Sequence, residues 1–142
     1  MSFKNEAKFL KDLELHLVKK PEKNAIRVME SATRMVANTA IQSIAKGGRG
    51  RAYSRKSQPP HIASAPGDPP ATDTGELIRN ITTNVKKDFG GKLVGQIISG
   101  APYSAHLEFG TTQMEKRPFL QPALKNNHAK IIAKFKKAGL TK

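Results

Sequence analysis

The chain contains no cysteine, so any chemistry it performs must rest on its histidines, carboxylates and hydroxyls. That absence removes a thiolate nucleophile, a disulfide framework and every Cys-ligated zinc or iron–sulfur site. The four histidines are His16, His61, His106 and His128, and no two stand at the i, i+4 spacing that places a metal pair on one helix face. His106-Leu107-Glu108 matches the His-x-Glu of zinc deaminases, but the partner motif of that signature requires two cysteines. Gly47-Gly48-Arg49-Gly50-Arg51 lacks the Gly-Lys-Ser/Thr ending of a phosphate-binding loop and follows no strand, and no Gly-x-Ser-x-Gly elbow occurs. Asp68 and Asp73 could join Glu76 around a divalent metal, yet Asp73 and Glu76 stand where a helix start would use them. Nucleophile, base and orienting group never appear together, so the sequence points to a non-enzyme without cofactor or metal.

The elements that must position any site follow from hydrophobic spacing. Phe3, Ala7, Leu10, Leu13 and Leu17 predict an amphipathic helix over Phe3 to Val18. Pro21 suits the first turn of a second helix running to Ala45, with Ile26, Met29, Thr33, Val36, Ala40 and Ile44 as a narrow packing stripe ended by Gly47 and Gly48. From Lys46 to Thr72, Gly and Pro dominate without periodicity, which predicts a long mobile arm. Asp73 is expected to cap a short helix over Thr74 to Arg79, with Glu76 reaching back as in a capping box. Ile81, Thr83, Val85 and Phe89 alternate with polar residues before Gly90-Gly91, and Leu93, Val94, Ile97 and Ile98 follow. This pattern is a β-hairpin whose second strand is the more buried. Tyr103 to Phe109 can form two helical turns before Gly110. A last helix starts near Pro118 or Pro122, carries Leu120, Leu124, Ile131 and Phe135 on one face, and stops near Gly139.

Together these elements predict a single α+β domain over residues 1–142: a helical region to 45, a basic Gly/Pro-rich arm over 46–72, and an α+β core from 73 with a basic C-terminal helix. A two-stranded hairpin alone is marginal, so its edges are expected to pair with another strand or another subunit. The first twenty residues carry charges at Lys4, Glu6, Lys8, Lys11, Asp12 and Glu14, and no stretch approaches membrane-spanning length, so the chain reads as soluble and intracellular, with no membrane partner.

Charge divides the chain more sharply than composition does. The 25 Lys and Arg against 11 Asp and Glu give a formal net charge of +14. Residues 1–58 hold 13 basic and 5 acidic side chains, residues 59–115 hold 4 and 6, and residues 116–142 hold 8 and none. Lys46, Arg49, Arg51, Arg55 and Lys56 in the arm, and Lys130, Lys134 and Lys137 along one face of the last helix, are therefore the candidate contacts to DNA or an acidic partner. Lysines in a last helical turn also favour the negative end of the helix dipole without any partner.

The most specified stretch is Ala101-Pro-Tyr103-Ser-Ala-His-Leu-Glu108-Phe-Gly-Thr111, followed by Arg117-Pro-Phe-Leu-Gln-Pro-Ala-Leu124 and preceded by Ala65-Pro-Gly-Asp-Pro-Pro-Ala71 and Asp73-Thr-Gly-Glu-Leu77. In order and spacing these four blocks resemble the tail-component family of long-tailed bacteriophages, which is distantly similar to the minor tail protein Z of phage lambda. The resemblance implies a non-enzymatic virion protein that completes the tail or joins head to tail. It would assemble as a hexameric ring at the neck, touching the tail terminator or tube protein on one side and the head connector or head-closure protein on the other, with genomic DNA in the channel. It also implies that Gly75, Leu77, Tyr103, Glu108, Phe109, Gly110, Thr111, Pro118, Phe119 and Pro122 are fold and inter-subunit positions. Glu108 is expected to accept a charged hydrogen bond from Arg117 or from a basic residue of an adjacent subunit.

Two other readings compete. A small basic nucleic-acid-binding module fits the charge, but two Tyr, six Phe and no Trp offer little stacking surface. A small nuclease or toxin-like enzyme rests on basicity and a few acids alone.

Overall fold

A computed structural model describes residues 22–141; the helix expected over Phe3 to Val18 lies outside the described residues. The first described element is α1, Glu22–Ala45. Its buried stripe comprises Met29, Ala32, Thr33, Val36, Ala37, Ala40 and Ile44, the small residues letting neighbouring elements approach closely. Within it, the hydroxyls of Thr33 and Thr39 donate to the carbonyls of Met29 and Met35, which satisfies these polar groups inside the helix. Gly47, at φ +82°, reverses the chain after the last turn.

Two hairpins follow, β1 (Ala52–Arg55) with β2 (Gln58–Ile62), and β3 (Ile81–Lys87) with β4 (Leu93–Ser99), each an antiparallel pair forming its own two-stranded sheet. The first hairpin corrects the expectation of a structureless arm. The ribbon is short, with Lys56 and Ser57 at its turn and Ser57 at φ +62°. Beyond it, residues 63–72 return to the body, where Ser64 and Pro70 are buried and Thr72 N–H reaches the Ile44 carbonyl.

The second hairpin matches its expected strands and its expected difference in burial, with β4 the more covered. It spans a register from Ile81 opposite Ser99 to Lys87 opposite Leu93. Phe89, however, is not on the apolar side of β3: the strand ends at Lys87 and Phe89 sits fully exposed in the connecting turn. Asp88 explains the early stop. Its Oδ1 accepts the N–H groups of Gly90 and Lys92, both at 2.9 Å, while Gly91 takes φ +77°, so the turn closes before the alternation can continue.

A one-turn helix α2 (Glu76–Arg79) precedes β3, and α3 (Ser104–Phe109) and α4 (Leu120–Lys137) follow β4. Gly75, at φ +76°, and not the expected Asp73, occupies the N-cap position of α2, and Thr74 Oγ1 accepts the Glu76 N–H at 3.4 Å. The reason is that the backbone turns through glycine before Glu76, which frees the Glu76 carboxylate to accept the Tyr103 hydroxyl. At the other end of the chain, α4 closes with Gly139 at φ +68°. Leu140 N–H bonds to the Phe135 carbonyl and Gly139 N–H to that of Lys136, a Schellman ending with Leu140 buried behind it.

The core lies where α1 crosses the β3–β4 sheet on one side and packs along α4 on another. Met29, Val36, Ala40 and Ile44 meet Ile97, Phe119, Ile131 and Phe135 in one cluster of buried side chains. Gly95 in β4 sets how close helix and sheet come, because a Cβ there would lie 2.5 Å from Thr33 Oγ1 and 2.9 Å from Met29 Sδ.

Candidate assembly site

Glu108 lies on α3 and is buried at 1% exposure, and its carboxylate is held by backbone amides. Oε2 accepts the N–H of Phe119 at 2.9 Å and of Leu120 at 3.1 Å, and Oε1 accepts that of Gln121 at 2.7 Å. These are orphan donors at the start of α4, where the helix dipole also favours negative charge. The carboxylate thus does for α4 what a local capping side chain would do, from a different element. This replaces the expected bond from Arg117, whose backbone N–H instead meets the Leu107 carbonyl and whose Nε is buried without a hydrogen-bond partner.

The loop between α3 and α4 is built to make that contact. Gly110, at φ +75°, leaves no room for a Cβ, which would stand 2.9 Å from Lys116 N and Met114 O. Thr111 then closes the turn: its Oγ1 accepts the N–H groups of Gln113 and Met114, and its own N–H reaches the Met114 carbonyl. Pro118 is half-buried, Phe119 is 1% exposed beside Glu108, and Pro122 sits in the first turn of α4, where a missing N–H is tolerated. Leu77 is buried in the same core. Of the expected interface positions, Leu77, Glu108 and Phe119 are therefore occupied inside the chain, and Tyr103, Phe109 and Thr111 are exposed.

Tyr103 is the N-cap residue of α3 and donates to Glu76 Oε2 at 3.3 Å. Partial burial, then the negative charge of Glu76 and its hydrogen bond, hold the phenol above the ordinary tyrosine pKa, while Arg79 pulls it back. Asp68 pairs with Arg49 at 3.1 Å, a surface contact that ties the root of the arm to the 65–71 block.

The basic candidates fall in two places. Lys46, Arg49, Arg51 and Lys56 are exposed around the β1–β2 ribbon, and Arg55 ends β1 opposite Gln58. The Arg51 guanidinium lies 5.7 Å from the Tyr53 ring centre, within cation–π range. Lys130, Lys134 and Lys137 are exposed on α4, with Lys134 Nζ donating to Ser31 Oγ on α1 across a groove that Arg34 and Lys130 also line.

Asn127 is a structural residue that the spacing argument passed over. It is 3% exposed, and its Nδ2 donates to Thr39 Oγ1 and to the Ala123 carbonyl, both at 2.8 Å, locking α4 to α1. Its place four residues before Ile131 and four after Ala123 put it in the apolar stripe, the available signal. Glu108 offered no such signal, because its partners lie 11 to 13 residues away.

Among the described residues, no group of His, Asp and Glu could hold a metal ion, and no helix is long and apolar enough to cross a membrane. A family model described as "Bacteriophage HK97-gp10, putative tail-component" matches residues 7–110. That span contains the arm, two of the four sequence blocks whole and the third as far as Gly110, while the Arg117–Leu124 block lies beyond it. No curated protein and no solved structure matches the chain. By a match covering well over half its length, the chain belongs to the HK97-gp10-like family of bacteriophage tail components.

Proposed function

We propose that this structural virion protein works at the neck of a tailed phage, where copies assemble as a ring that completes the tail and joins it to the head. The observation that carries this reading is the β1–β2 ribbon. Arg51 to Ser54 and Lys56 to Pro60 are all exposed, on both faces of the ribbon. A two-stranded hairpin is marginal in water on its own, and its edges are open to another strand or to a surface that orders them. Placed on a neighbour in a ring, the ribbon would gain that cover. Its basic residues would then lie against an acidic surface or against DNA in the channel.

Electron microscopy of particles made without this protein tests the assignment. Filled heads and finished tails that fail to join are the expected result; normally joined particles would count against a neck role. A second reading, nucleic-acid binding by the isolated chain, draws on the Arg51–Tyr53 pair on an exposed basic ribbon. It predicts DNA affinity with a steep salt dependence in the isolated protein, which the assembly reading does not require.

A further inference from the structure

The tip of the β3–β4 hairpin presents Phe89 fully exposed, on a turn that is already ordered. Asp88 accepts two backbone N–H groups through one carboxylate oxygen, its own N–H donates to the Lys92 carbonyl at 2.9 Å, and Gly91 N–H returns to the Asp88 carbonyl at 3.0 Å. An aromatic ring held out on a fixed turn loses little freedom on docking, the property of a preorganised anchor. Nothing in the chain's own core uses this ring.

The opposite end of the same hairpin carries exposed aromatic surface. The six residue steps from Lys87 back to Ile81 span about 20 Å. There, Gly100 N–H bonds to the Asn80 carbonyl, and Tyr103 meets Glu76. Tyr103 and Phe109, at the two ends of α3, are 38% and 52% exposed. The charge balance also differs between the ends. Lys86, Lys87 and Lys92 outnumber Asp88 at the tip, whereas at the α3 end Glu76 and Glu115 stand among Arg79 and Lys116, so a lysine-rich tip would meet a charge-balanced surface that offers it two carboxylates.

We infer that copies of this chain associate head to tail, with the Phe89 tip of one copy seated on the α3 end, at Tyr103 and Phe109, of the next. A contact between two different surfaces of the same chain is heterologous, and such contacts close into rings when the rotation permits. The inference rests on the reading that copies of the chain assemble with one another, and it supplies the contact.

The absence of native cysteine makes a direct test clean. Equimolar Phe89→Cys and Phe109→Cys chains, mixed and oxidised, should give a mixed disulfide dimer, while neither variant alone should cross-link to the same extent. A chain carrying both substitutions should give a ladder of covalent oligomers. Sedimentation equilibrium of the unmodified chain should show concentration-dependent association, with Phe89→Ala raising the Kd roughly 10- to 100-fold. Association that is unchanged by Phe89→Ala, with no 89–109 cross-link, overturns this contact and leaves ring assembly standing through another surface. A chain that stays monomeric at every concentration and forms no cross-link overturns the inference and removes self-association from the neck reading as well. If Phe89→Ala abolishes virion incorporation of such a monomer, the tip docks on a different virion protein and the self-contact is wrong.

Discussion

The Glu108 carboxylate receives the Gln121 backbone N–H at 2.7 Å, the shortest of three bonds by which one helix caps the start of another. A local N-cap residue satisfies one or two orphan donors from within its own turn. Here the acceptor comes from α3, so the same interaction also fixes the path of the loop between Gly110 and Phe119. Capping and tertiary packing are one contact.

Removing it should therefore affect the folded chain before any partner is involved. Glu108→Ala leaves three amides at a largely buried helix start without an acceptor, for an expected loss of about 3 kcal/mol. Glu108→Gln keeps one carbonyl oxygen but turns an NH2 group toward donors, and should lose about half as much. Urea denaturation of the isolated protein measures both, and stabilities within about 0.5 kcal/mol of the parent for Glu108→Ala would contradict a capping role.

Gly95 makes a second prediction, at the crossing of α1 over β4. A side chain there would press on Thr33 Oγ1 and Met29 Sδ, so Gly95→Val should destabilise by about 1–3 kcal/mol through overpacking. Because the nearest obstructing atom is one hydroxyl oxygen, adding Thr33→Ala should recover part of the loss. A double-mutant cycle reads the coupling directly, and strict additivity would mean that the two positions do not meet.

The difference between Val36 and Phe89 marks how far the sequence could be read. Val36 belongs to a buried stripe that runs from Met29 to Ile44, about four turns of α1, and that many concordant positions leave a helix and its buried face little choice. Phe89 belongs to an alternation of only a few residues, and one aspartate with a preference for closing turns outweighed it. The same contrast holds at the site. Gly110 was legible as a sharp reversal because glycine has a local reason to be there. The role of Glu108 was not, because its three donors come from a segment that only folding brings near. In the arm, β1 and β2 are too short and too polar to alternate, so pairing arises from the turn at Lys56 and Ser57 without a hydrophobic pattern to announce it.

Gly48 offers a way to disturb the arm while sparing the core. A Cβ at this position would overlap the backbone carbonyls of Ile62 and Ala63, neither of which can move without shifting the root of the ribbon. Gly48→Ala should leave global stability nearly unchanged and increase protease cleavage between residues 49 and 62, since exposed, locally opened chain is where nicking occurs. The neck reading adds that virion incorporation should fall in parallel. Cleavage equal to that of the parent would show that the ribbon root tolerates the side chain.

Tyr103 gives a prediction with a definite sign in pH. Its native phenol is held above the ordinary tyrosine range by burial first and by Glu76 second. Below about pH 10 the phenol is protonated in both folded and unfolded chains, so the stabilisation tied to its proton is fully present there. As pH rises further, the unfolded chain releases the proton first, and the stabilisation is lost through the folded pKa. At 3.3 Å the hydrogen bond to Glu76 is long for an O–H···O contact, so charge outweighs it. Glu76→Gln should consequently lower the titration midpoint of Tyr103 without restoring it fully, because burial persists. Arg79→Ala should act in the opposite direction, since the guanidinium favours the phenolate. Tyrosinate absorbance in a Tyr53→Phe background isolates this group, as the chain has two tyrosines. Midpoints displaced the same way by both substitutions would be incompatible with the two opposed charges acting on one phenol.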